Sequence, residues 1–129
     1  MALVTSPLVQ QVIGCAIRVH RALGPGLYES AYDSCLGIEF TRAGLRFERQ
    51  VPLHLVYSGV EVPSAYRADM IVNDELLLEI KSVDRLLPIH TQQILTYLHI
   101  AKLRQGLIIN FNAERVVDGI KSFLNKDFS

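Results

Sequence analysis

The feature that most constrains this chain is a change of hydrophobic period near Gly44. Before it, Val9, Val12, Ile13, Ala16, Val19, His20 and Leu23 recur at steps of three and four, the spacing of one helical face. After it, Phe47, Arg49, Val51, Leu53, Leu55 and Tyr57 share one parity, the spacing of a strand. A chain carrying both periods must lay helices on a sheet to bury its apolar surfaces.

Punctuation along the chain divides these segments. Ser6-Pro7 offers an N-cap followed by proline at the first helical position, and Gly24-Pro25-Gly26 stops that helix. A second helix is expected from Tyr28 to Ala43, with Gly44 as terminator. Pro52 marks the first strand as edge-type. Turns at Ser58-Gly59 and Asn73-Asp74 set off a second strand, Glu61–Val72, and a third, Glu75–Val83, in an antiparallel meander. Pro88 opens a helix with Ile89, Leu95, Leu98 and Ala101 near one side. The apolar run Gly106–Phe111 fits a buried inner strand, and Val116–Leu124 is expected to close the chain as a helix. The predicted order is α-α-β-β-β-α-β-α, an α/β fold forming a single domain over residues 1–129.

Composition narrows the class. At 129 residues, 50% hydrophobic and 20% charged, the chain can build a core without disulfide or metal staples. Thirteen basic and thirteen acidic residues cancel, which counts against gripping nucleic acid by bulk charge, although a local basic groove stays open. Cys15 and Cys35 lack metal-ligand spacing and read as reduced thiols. Met1–Pro7 shows no leader-like pattern, and no apolar run approaches the ~20 residues that span a bilayer. The expectation is a cytoplasmic protein with no membrane partner.

The chemistry concentrates on the third strand. Glu79 and Lys81 are two apart, so both project from one face, while Leu78 and Ile80 project from the other. Charges on an otherwise apolar strand are costly unless paired or metal-bound. Asp69 is similarly isolated among Ala68, Met70, Ile71 and Val72, and the Asn73-Asp74 turn can bring it beside Glu79. Two converging carboxylates repel unless a cation lies between them. Asp69, Glu79 and the Ile80 carbonyl could then hold Mg2+ or Mn2+, with Lys81 orienting or deprotonating a water for phosphodiester hydrolysis. An ordinary ion pair on a solvated sheet face is the competing explanation. Gln93 and Tyr97 share a helical face with His90 and could contact phosphate or a base. Glu29 and Tyr32 form a similar pair after the Gly-Pro-Gly stop. Glu29 is a candidate metal ligand, direct or through water, and Tyr32 a candidate supporting residue.

The ordered set Val19-His20, Leu23-Gly24-Pro25-Gly26-Leu27-Tyr28-Glu29-Ser30-Ala31-Tyr32, Glu48-Arg49-Gln50-Val51-Pro52 and Tyr66-Arg67-Ala68-Asp69 resembles the signature of the GxxExxY proteins. It continues through Glu79-Ile80-Lys81, Gln93-Ile94-Leu95-Thr96-Tyr97-Leu98 and Gly106-Leu107-Ile108-Ile109-Asn110-Phe111. That family is similar to the lambda-exonuclease-like branch of the PD-(D/E)XK nucleases. The resemblance implies a central mixed β-sheet flanked by helices, and metal-dependent cleavage of nucleic acid, DNA more than RNA. It places Asp69, Glu79 and Lys81 at the core positions, Glu29 at the first-helix acid near the metal, and Gln93 with Tyr97 at the helix motif. The alternative is a non-catalytic nucleic-acid- or partner-binding module that retains the fold; a homo-oligomer or protein partner is left open.

Overall fold

A computed structural model of the chain describes residues 6–63 and 66–127. The segment 1–5, which the sequence marks as free of a leader-like pattern, lies outside the described residues, as do positions 64 and 65 within the expected second strand. Helix α1 spans Pro7–Leu23, and its start is capped as the sequence predicts, with Val9 N–H donating to Ser6 Oγ at 3.2 Å. Gly24 adopts φ 70°, a left-handed turn suited to glycine, and its N–H closes the helix on the His20 carbonyl. Helix α2 spans Glu29–Arg42, and Gly44 follows at φ 74°.

Seven strands follow the period change. They are β1 (Phe47–Pro52), β2 (Leu55–Tyr57), β3 (Val60–Val62), β4 (Arg67–Val72), β5 (Leu76–Lys81), β6 (Gln105–Asn110) and β7 (Ile120–Leu124), with helix α3 (Pro88–Ala101) between β5 and β6. Five of them form a sheet in the order β1-β4-β5-β6-β7, and β2 and β3 pair separately as a short hairpin. The β1-β4-β5 pairs are antiparallel, as the meander predicted, whereas β6 runs parallel to β5 after the α3 crossover. The result is the expected mixed sheet. The first and second predicted strands are each split in two: β1 pairs with β4 as far as Pro52↔Arg67, and beyond it β2 and β3 pair with each other.

The sheet is covered on both faces. Val12, Cys15, Ala16 and Val19 of α1 with Tyr32, Leu36 and Phe40 of α2 pack on Met70, Leu78, Ile80, Leu107 and Ile109. Ile94, Tyr97 and Leu98 of α3 pack on Leu77 and Ile108 from the other side. The predicted stripe on α3 is therefore rotated: Ile89 is 65% exposed, and Ile94 and Tyr97 face the sheet instead. Cys15 and Cys35 are free thiols.

One predicted element is overturned. The segment Val116–Leu124 is not a helix; a short 3-10 turn over Val116–Gly119 leads into β7, which pairs antiparallel with β6 from Ile109↔Ile120 to Gln105↔Leu124. Val116, Ile120 and Phe123 mimic helical spacing, but inner strand β6 has an open edge that the β-branched and aromatic residues of this segment satisfy. Gly119 permits the approach, since a Cβ there would lie 2.3 Å from the Asn110 carbonyl oxygen.

Candidate functional site

The β4–β5 ladder runs through Val72↔Leu76, Ile71↔Leu77 and Met70↔Leu78 and then stops. The next residues are Asp69 and Glu79. Beyond this point each carboxylate reaches across to the other strand's main chain. Asp69 N–H donates to Glu79 Oε2 at 2.9 Å, and Ile80 N–H donates to Asp69 Oδ2 at 2.8 Å. The two acids thus replace the backbone pairing that the opening strands give up. A change of face accompanies the opening. Met70 packs with α1 and α2, whereas Ala68 and Val51 pack in the α3 cluster, and Gln50 between Arg49 and Val51 has φ 50°.

Electrostatics marks the same place. Glu79 is only 4% exposed. Burial, reinforced by the charge of Asp69, pushes its pKa up to about 7, against the opposing pull of the Asp69 N–H and of Lys81. Asp69, half-buried, is also raised by burial, opposed by the Ile80 N–H and Lys81, and raised further by Glu29 and Asp33. A buried carboxylate pair with raised proton affinity is a place where a second positive charge is favoured.

Lys81 Nζ lies 3.4 Å from Gln93 Oε1, and Gln93 Nε2 donates to Tyr97 Oη at 2.9 Å. The structure therefore brings β5 and α3 together through the three side chains the sequence singled out. Tyr97 is itself buried, and its hydroxyl is pushed up by burial and by the charge of Glu79. Glu29, exposed in the first turn of α2, lines with Asp33, Arg49, Gln50, Asp69 and Ile80 a cleft of about 350 Å³. Its charge acts on both Asp69 and Glu79.

Tyr32, expected as a supporting residue, points into the core beneath the Gly-Pro-Gly loop. Its ring is fully buried, stacked on Phe111 at 4.4 Å, and its hydroxyl donates to the Gly24 carbonyl at 2.7 Å while accepting from Leu27 N–H. It holds the Gly-Pro-Gly loop, and Ser82 Oγ donates to Leu27 O from the end of β5. His90, whose Nδ1 accepts from Leu87 N–H, caps α3 rather than joining the site.

Two contributors were not singled out as site residues by the sequence. Asn110 is buried at the end of β6, where its side chain receives Val83 N–H and donates to Val83 O, fixing the chain just past Lys81. Arg49 donates to Asp33 at 2.7 Å and lies so close over α2 that a Cβ on Gly37 would collide with its guanidinium. The buried position of an amide after an apolar run, as at Asn110, was the one available hint.

Two side-chain carboxylates and a main-chain carbonyl are hard oxygen donors, the kind that Mg2+ and Mn2+ take with water completing the shell. Among the described residues, no three His, Cys, Asp or Glu side chains form a group that could hold a metal ion unaided. The donor set fits a metal only with main-chain oxygen and water.

The chain is thus an α/β domain in which a mixed sheet, with an acid on one strand and Glu-x-Lys on the next, has helices on both faces. Residues 6–123 match the family model described as PD-(D/E)XK nuclease superfamily, and the chain belongs to that superfamily. No curated protein and no solved structure matches the chain. Among the described residues, no helix is long and apolar enough to cross a membrane.

Proposed function

We propose that residues 1–129 act as one divalent-metal-dependent nuclease domain of the GxxExxY type, in the lambda-exonuclease-like branch, cleaving DNA in preference to RNA in the cytoplasm. The observation that carries this reading is the crossed pair, half-buried Asp69 and buried Glu79, where the β4–β5 ladder opens, with Lys81 on the same strand as Glu79. Asp69, Glu79 and the Ile80 carbonyl would hold Mg2+ or Mn2+, with Glu29 at the start of α2 as a further ligand, direct or through water. An ion at that position would supply Lewis-acid polarisation of the scissile phosphate and a more acidic water.

The chain's own groups supply the rest. Lys81 holds the attacking water by its ammonium and offsets charge that develops on the phosphate oxygens. Gln93 keeps that ammonium aimed, and Tyr97 fixes the Gln93 amide from the buried side of α3. The α2 cleft offers Glu29 and Arg49 on the opposite side of Asp69, with Arg49 already turned toward Asp33.

A metal-dependent cleavage screen against single- and double-stranded DNA and RNA tests the proposal. Wild type is expected to cut in Mg2+ or Mn2+, with Glu79→Ala and the hydrogen-bond-retaining Glu79→Gln both inert. Cleavage surviving in Glu79→Gln overturns the site. A second reading, a binding module that keeps the fold, is favoured by the neutral charge and by the lack, among the described residues, of an unaided three-ligand group. It prevails if wild type binds nucleic acid yet cuts none. Self-association or a protein partner belongs to the same experiment, read from the size of the active species.

A further inference from the structure

The polar relay from Lys81 through Gln93 to Tyr97 ends at an aromatic face that the proposed chemistry leaves unused. Tyr66 lies with its ring centroid 5.9 Å from that of Tyr97, tilted by 57°, and is 45% exposed against 6% for Tyr97. Its backbone is pinned, because Leu53 N–H donates to Tyr66 O at 3.0 Å and Leu53 is buried beside Tyr97 in the α3 cluster. It stands at the root of the β2–β3 hairpin and three residues before Asp69, on the order of 10 Å along an extended chain. The chain thus carries a backbone-anchored, half-exposed aromatic ring against Tyr97 and three residues from Asp69.

We propose that Tyr66 is a stacking platform for a base next to the scissile phosphate, so that the site takes unpaired nucleic acid, a single strand or a frayed end. The inference rests on the nuclease reading and names its substrate class. Two observations support it. A base in a duplex has both faces covered by its neighbours, whereas an unpaired base can offer one to an aromatic ring. The chain also has no net charge, so a grip on phosphates alone is weak and stacking, which needs no cation, must supply more of the affinity.

The test uses the full chain with Lys81→Ala, so that binding is measured without turnover, and fluorescence anisotropy of a labelled oligothymidine strand and of its duplex with oligoadenine. The single strand is expected to bind more tightly than the duplex. Tyr66→Leu, which keeps an apolar contact on Tyr97, should weaken single-strand binding by about 10-fold or more, and Tyr66→Phe by less than about 3-fold, since a stacked base is worth some 1–3 kcal/mol. Melting temperatures within a few degrees of the parent show that the variants fold. Equal single-strand affinity in parent and Tyr66→Leu, or a preference for duplex, overturns the platform. If the unsubstituted chain cuts nucleic acid in the same series, the nuclease reading survives that failure; if it neither binds nor cuts, both fall.

Discussion

Lys81 and Glu79 leave β5 on one face, yet they make opposite demands on their surroundings. The ammonium is tethered by Gln93 at 3.4 Å and takes no part in the hydrogen bonds that close the two strands. Lys81→Ala is therefore expected to lower cleavage by at least about 100-fold, the scale of losing one positioned acid–base group. Mn2+ affinity and melting temperature should stay close to wild type, and retained cleavage overturns the role. Glu79 differs because its proton is coupled to folding. Its folded pKa, about 7, lies above the ordinary 4.5, so the native state holds a proton that the unfolded chain releases between those values. The stability from that proton is fully present below the unfolded pKa and is lost as pH rises through about 7, by up to about 3 kcal/mol. Asp69, also raised, acts with the same sign. Metal-free protein should thus melt at falling temperature from about pH 5 to about pH 8, more steeply than Glu79→Gln, and Mn2+ should restore stability at the upper end. Identical slopes for the two proteins would contradict the burial of this carboxylate. The trio was legible in the sequence because charge interrupts apolar strands. The placement of Tyr32 was not legible, because a phenol near an acid looks the same in sequence whether its hydroxyl faces solvent or the Gly24 carbonyl.

At the level of elements, β5 is held from two sides, by β4 until the ladder opens and by β6 along its full length. Past its far end Asn110 adds a side-chain grip on Val83, and Asn110 in turn sits against Gly119 at the entry to β7. Gly119→Ala must displace the Asn110 carbonyl, which is backbone and cannot swing aside. A stability loss of about 1–3 kcal/mol in chemical denaturation is expected, as for overpacking elsewhere. Cleavage should fall beyond what the lost stability explains, because the anchor of the Lys81 end moves. An unaltered unfolding midpoint would show that the turn has room to spare. This contact also shows why the last predicted helix failed. Spacing within Val116–Leu124 is compatible with a helix, and only the open edge of β6, distant in sequence, decides for a strand. The stripe on α3 was misplaced for a related reason: Ile89 and Leu95 match Ile94 in hydrophobicity, and the sheet alone determines which side is covered. The α1 cap, the Gly24 stop and the β1-β4-β5 meander were legible because local residues suffice to set them.

Across the whole molecule, thirteen positive and thirteen negative residues leave no long-range field to hold a polyanion. Affinity for single-stranded DNA should depend only gently on salt, with a slope of log affinity against log salt shallower than about −4, corresponding to only a handful of neutralised phosphates. A slope near −8 in anisotropy titrations would reveal a basic track that the overall balance hides. The two carboxylates supply a different kind of long-range constraint. Asp69 and Glu79 serve as acceptors for Ile80 N–H and Asp69 N–H at the place where main-chain pairing ends, so they belong to the sheet as well as to the site. Descendants of this chain that abandon catalysis cannot simply discard them for alanine without orphaning two amides in the interior. Asparagine and glutamine keep the acceptor while losing the charge, and those are the residues expected to mark retired copies.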